Sequence, residues 1–239
     1  MKIAFFVILV FLSSMVQRVS GFGFGIVMLG FMPFMFAYQD TLIIVSILSI
    51  IVCLVAFVGI YKDARYSLLL YPMIFYITSN IICVKFLKDN LQADWRSVLG
   101  IVLILVGLFF AFVMKNISLK ANKKYGALFG LLSGCLGGLF GVGGPPMILY
   151  VLSLQDVTPK EYIATVQLFG LTSCTIDFII KASYGLVVSE VYIWVLYGII
   201  PLILGIYLGG KIYGRMSAES IKRIVYMIII ADGIMLTFL

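Results

Sequence analysis

The chain has 239 residues, of which 63% are hydrophobic and only 11% charged, with a mean hydropathy of +1.19. Soluble domains carry about 25% charged residues and cover their surface with them, so a water-soluble globular protein is excluded and lipid is the solvent. The net charge of +7 arises from basic residues scattered through short loops without aromatic interleaving, which argues against a nucleic-acid partner and for the loop asymmetry of a membrane protein.

Uncharged stretches at 19–39, 41–61, 66–84, 97–114, 125–155 and 191–210 are mostly near or above the ~20 residues that a helix needs to cross hydrocarbon. They are rich in Gly, Phe, Ile and Leu without apolar–polar alternation, which predicts helices rather than a lipid-facing barrel. The expected fold is therefore an all-α polytopic membrane protein. An N-terminal repeat, 1–114, is predicted to hold a broken or re-entrant hairpin at 3–37 and spans at 41–60, 68–87 and 97–114. A basic linker, 115–124, joins it to a C-terminal repeat, 125–239, with a hairpin at 125–155 and spans at 162–180, 191–210 and 221–239. The first stretch could pass for a signal peptide, but Arg18 stands where a small-residue cleavage site belongs, so the segment is expected to be retained. Sliding the chain by 120 residues places Ser13 on Ser133, Gly21 on Gly141, Gly23 on Gly143 and Leu29 on Leu149. The segment boundaries superimpose as well, which points to a duplication.

Segments 3–37 and 125–155 are too long for one span, because a single helix of that length would run to roughly 45–50 Å against a ~30 Å core. Each carries a glycine cluster near its middle: Ser20-Gly-Phe-Gly-Phe-Gly25 in the first and Gly137-Gly-Leu-Phe-Gly-Val-Gly-Gly-Pro-Pro146 in the second. Each segment is therefore read as two short helices joined by a glycine-lined break. If both segments dip in and return, one side of the membrane carries Lys2, Lys85, Lys88, Arg96 and Lys181, and the other carries 11 basic residues, a split of 5 to 11. That asymmetry favours return over a single crossing, with both termini outside and the second repeat inverted; two full crossings per segment give a similar split.

A broken helix in lipid leaves backbone donors and acceptors that cost several kcal/mol each unless protein, water or solute satisfies them, so such breaks normally line a cavity. Half-helices starting after Gly25 and at Pro145-Pro146 would aim a positive dipole end at the tips, an arrangement suited to an anion. The competing explanation is close helix packing through small residues. Gln17, Arg18, Ser20, Gly21, Gly23 and Gly25 of the first tip, with Gly141, Gly143, Gly144, Pro145 and Pro146 of the second, form the candidate substrate site. Arg18 supplies a forked donor there, unless it merely reaches an interface. Asp177, Asp232, Gln167 and Asn80 are candidates for coupling or gating. A local ion pair with Lys181 would explain Asp177 equally, and interhelical hydrogen bonding would explain Asn80 and Gln167. With no histidine, and with Cys53, Cys83, Cys135 and Cys174 widely spaced, no metal or cofactor is expected.

The GFGFG run, the stretch Gly126-Ala-Leu-Phe-Gly-Leu-Leu-Ser-Gly-Cys-Leu-Gly-Gly-Leu-Phe-Gly-Val-Gly-Gly-Pro-Pro146 and the late Gly205-Ile-Tyr-Leu-Gly-Gly-Lys211 together resemble the sulfite exporter TauE/SafE family. The second motif is the specific one. The resemblance implies a bacterial-type inner-membrane carrier with duplicated three-helix modules, moving sulfite, sulfonates or related small sulfur-containing anions. Pro145 stands where many relatives have a third glycine, which implies different backbone access at that tip. The expected function is secondary transport of such an anion by alternating access. An anion channel, a carrier of a non-sulfur solute, a membrane enzyme and a purely structural subunit are the alternatives. No nucleophile–base pair supports an enzyme. A homodimer is compatible with this reading but not required by it.

Overall fold

The computed structural model describes residues 1–112, 122–154, 156–213, 230, 233, 234 and 237. The described elements are α1 (Lys2–Ser20), α2 (Phe24–Phe31) with a 3-10 turn at Met32–Phe34, α3 (Tyr38–Val58), a 3-10 turn at Tyr61–Asp63, α4 (Ser67–Asp89), α5 (Trp95–Phe112), α6 (Lys123–Phe140), α7 (Gly144–Ser153), α8 (Pro159–Ser183) and α9 (Val191–Tyr213). Among the described residues, five helices are long and apolar enough to cross a membrane: α1, α3, α4, α8 and α9. The helix starts follow local chemistry. Asn122 caps α6, and at α8 the Thr158 hydroxyl and the Glu161 carboxylate take each other's backbone N–H groups in a capping box. Pro72 and Pro201 lie inside α4 and α9. Most of the linker 115–124 and of the expected span 221–239 falls outside the described residues.

Both over-long segments are broken, as expected, but unequally. The first gives arms of 19 and 8 residues and the second arms of 18 and 10. The longer arms are thus not half-helices: at about 1.5 Å per residue each approaches the thickness of the hydrocarbon. The break falls late because the chain stays helical through Val16–Ser20 and through Gly134–Phe140, and it yields only at the glycines that follow.

The chain forms two compact units that interleave in sequence: 1–48 with 92–115 and 187–239, and 49–91 with 116–186. In the first unit α1 packs along α9. Gly205 and Gly209, four apart on one face of α9, permit the approach: a Cβ at Gly209 would stand 3.0 Å from the Met15 carbonyl, and one at Gly205 would overlap the Phe11 carbonyl and the Ser14 hydroxyl. Ser14 in this seam and Ser13, both buried, donate back to the Val10 and Leu9 carbonyls of their own helix at 2.8 and 2.7 Å. Phe6, Phe36 and Trp194 meet edge to face, with the Lys2 ammonium 4.2 Å above the Phe36 ring.

In the second unit α4 and α6 form the closest seam. Five glycines of α6, at 126, 130, 134, 137 and 138, face Pro72, Tyr76, Ser79, Asn80 and Cys83 of α4. The glycine-rich stretch before the second break is therefore used first for backbone-to-backbone packing, in which dispersion rather than water exclusion holds helices together in lipid. At the edge of this unit the Arg65 backbone N–H donates to Thr165 Oγ1 at 3.0 Å, and its guanidinium donates to the Asp156 carbonyl.

Candidate functional site: the two glycine breaks

At the first break Gly21 ends α1 in the left-handed region, φ 82°, and its N–H donates to the Gln17 carbonyl at 2.8 Å. Gly23, φ 109°, then turns the chain into α2. The Gln17 side chain, 6% exposed, bridges the gap: its Oε1 accepts from the Phe24 N–H at 3.1 Å and its Nε2 donates to the Gly21 carbonyl at 3.4 Å. Gln17 thus satisfies one of the orphan donors at the start of α2. Ser20 is the last residue of α1, and Gly25 lies in the first turn of α2. Arg18 is exposed to the surroundings and lies along α9, with its Cβ and Nε over Gly209 and Gly210.

The second break is made differently. Gly141, φ 68°, closes α6 as a left-handed cap; its N–H donates to the Gly137 carbonyl at 2.9 Å, and the Val142 N–H donates to the Leu136 carbonyl at 3.2 Å. Gly143 has an ordinary φ of −73° and is required by space instead, because a Cβ there would stand 2.8 Å from the Ser133 carbonyl and 3.3 Å from Gly137 Cα. The chain therefore turns back along α6 before α7 begins at Gly144. Pro145 and Pro146 follow at once, both buried. Prolines fit the first turn because its N–H groups lack intrahelical partners, but they also withdraw two donors from a tip expected to offer them to an anion.

Under the second break lies a polar network that the apolar composition conceals. Lys181, with no exposure at all, donates to Asp177 Oδ2 at 2.5 Å and to the Gly137 carbonyl at 3.5 Å. Asn80 of α4 donates from Nδ2 to Asp177 Oδ1 at 3.1 Å, and its amide also approaches Tyr76 Oη at 3.4 Å and the Gly134 carbonyl at 3.5 Å. The Tyr76 hydroxyl donates to the Ser173 carbonyl at 3.2 Å, and its ring lies edge to face with Phe169. One turn further along α4 and α8, Val84, Ile180 and Leu186 form an apolar cluster. Asn80 Oδ1 and Ser133 Oγ, both fully buried, have no hydrogen-bond partner among the described residues.

Of the coupling candidates, Asp177 and Asn80 are therefore joined directly, Gln167 is buried on α8, and Asp232 lies outside the described residues. Lys181 is a correction to the loop-charge count. The sequence reading ends its span at 180 and assigns this lysine to a loop, whereas α8 continues to Ser183 and buries it. The i,i+4 spacing of Asp177 and Lys181 was the available signal. What it lacked was the knowledge that α4 and α6 cover that face. Ser133 and Tyr76 carried no signal of their own.

The family model described as "Sulfite exporter TauE/SafE" matches residues 6–236. Among curated proteins the chain is similar to the "Probable sulfite/organosulfonate exporter TauE" of Cupriavidus necator, at 24% identity over 160 residues, which is 66% of this chain and 61% of that protein. The chain thus spans less than two-thirds of that relative's length. No solved structure matches it.

Proposed function

The chain belongs to the sulfite exporter TauE/SafE family, and on that premise we propose that it is a secondary transporter of a small sulfur-containing anion, sulfite or an organosulfonate. The observation that carries this reading is the pair of glycine breaks, one in each half of a chain that matches a family of transporters over residues 6–236. Broken helices supply polar backbone inside an apolar protein, and solute sites in carriers are built from such breaks. The α2 and α7 starts bring helix N-termini, which favour anions, and Arg18 supplies a positive charge one turn before the first break. Gln17 and the two prolines limit the free donors at each tip, so the reading is a weakly held, readily released anion rather than a tightly bound one. The sequence has no G-x-x-x-x-G-K-[ST] phosphate loop, so the drive is a gradient or a separate subunit. Transport proceeds by alternating access at the glycine tips, in a bacterial-type inner membrane with both termini outside.

The test is uptake into proteoliposomes. Labelled sulfite or a short alkyl sulfonate should accumulate with saturation and show counterflow when the vesicles are preloaded. Failure across a panel of such anions, together with uptake of a cation or a neutral solute, would refute the assignment. Flux without saturation or counterflow would point to a channel.

A further inference from the structure

We propose that the second glycine break is a cation site whose occupant is the chain's own Lys181 ammonium, so that the break requires no free metal cation. The oxygens on the ammonium are the Gly137 carbonyl near the end of α6 and the Asp177 carboxylate of α8. The first is the negative end of a helix dipole and already accepts from Gly141. Asp177 is a formal charge with 3% exposure. A buried carboxylate beside a helix-end carbonyl, cut off from water, attracts a cation. In carriers built from broken helices, the carbonyl ends of half-helices and unwound backbone coordinate the coupling cation. Here Lys181 brings that charge in on α8. Among the described residues Tyr76 of α4 and Cys174 of α8 also face the pair, and neither can supply positive charge.

An anion site on Lys181 fits less well, because Asp177 already stands 2.5 Å from the ammonium and would repel a second negative group. A structural ion pair alone would explain the Asp177 contact, but it does not explain the reach of the ammonium to the Gly137 carbonyl.

The experiment is thermal melting of purified protein in detergent, at fixed ionic strength, with sodium, methylammonium or ethylammonium exchanged for choline. Wild type should melt at the same temperature in every salt. Lys181→Met, which keeps the chain length and removes the charge, should melt lower by on the order of 10 °C. Sodium or a small ammonium should restore at least half of that loss along a saturating curve, and choline should not. Asp177→Asn added to Lys181→Met should recover stability and abolish the salt response. A Lys181→Met protein indifferent to every cation, or a wild type stabilised by sodium, would overturn the proposal. Where Lys181→Met does not fold, folding of the Asp177→Asn/Lys181→Met pair supports it, and equal failure of both refutes it. The readout involves no transported anion, so its outcome is independent of the substrate assignment.

Discussion

Replacing Gly130 by alanine tests the packing logic of the α4–α6 seam most directly. A Cβ at that position would lie 3.0 Å from both the Cα and the carbonyl carbon of Pro72, and closer still to its oxygen. These are backbone atoms of a helix, so they cannot swing aside as a side chain would. Relief requires α4 and α6 to separate by roughly 0.5–1 Å, which forfeits a quarter to a half of each affected dispersion contact. Overpacking of this kind costs about 1–3 kcal/mol, against which alanine returns up to ~1 kcal/mol of helix propensity. The net loss is about 1–2 kcal/mol, or roughly 2–8 °C in melting temperature for a chain of this size. Gly59→Ala is the control, because nothing lies within 4 Å of a Cβ placed there. The assay is a thiol-reactive fluorogenic dye, since Cys53 is buried and Cys83, Cys135 and Cys174 are partly so, and all become reactive on unfolding. Should Gly130→Ala melt as high as Gly59→Ala, the claim that glycine is required there for helix approach is wrong.

Other expectations follow from the breaks and the caps. Gln17→Leu removes both hydrogen bonds that bridge the first break and should cost about 1–3 kcal/mol, lowering anion flux in proteoliposomes together with the melting temperature. Gly21→Ala should destabilise by about 1–2 kcal/mol through its φ of 82° alone, because the space around it is open; Gly21→Asn should lose measurably less, and equal losses would contradict the conformational explanation. The Asp94 carboxyl, outside the spans, is held below its ordinary range by hydrogen bonds from the Ser97 side chain and backbone. A carboxylate with a lowered folded pKa contributes stability above the unfolded value, near ~3.9, and loses it as pH falls through the folded value. Asp94→Asn should therefore lower stability slightly at neutral pH and flatten the acid limb of the curve below about pH 4, so that the two proteins converge in acid.

The broken helices were legible because they rest on length: more than 30 residues in a row with at most one charge cannot be one span. Where the break falls was harder, because a glycine inside a helix and a glycine ending one look alike in sequence. Gly134, Gly137 and Gly138 turned out to serve helix approach, while Gly141 alone of that cluster needs a left-handed backbone. The partners of α1 and α6 were not legible at all. Apolar helices in lipid show little periodicity, so nothing local says that α1 meets α9 or that α6 meets α4. Lys181 was misassigned for a related reason. A lysine near a span end is ordinarily a loop charge, and only the covering helices make it a buried one. Gln17 was singled out beside the first tip, but its bond to the Phe24 N–H, seven residues on, depends on the break geometry itself.

The interleaving of the two units also sets a timetable for biogenesis. α1 ends at Ser20, and its seam partner α9 begins at Val191. At synthesis rates of ~5–20 residues per second, α1 waits roughly ten to thirty seconds in the bilayer or the insertion machinery before α9 exists. α4, α6 and α8 are all synthesised in that interval. Ser13 and Ser14 are suited to the delay, since each hydroxyl is bonded to a carbonyl of its own helix and needs no partner from elsewhere. Both hydroxyls can therefore face hydrocarbon without an orphaned donor until α9 arrives to pack against α1.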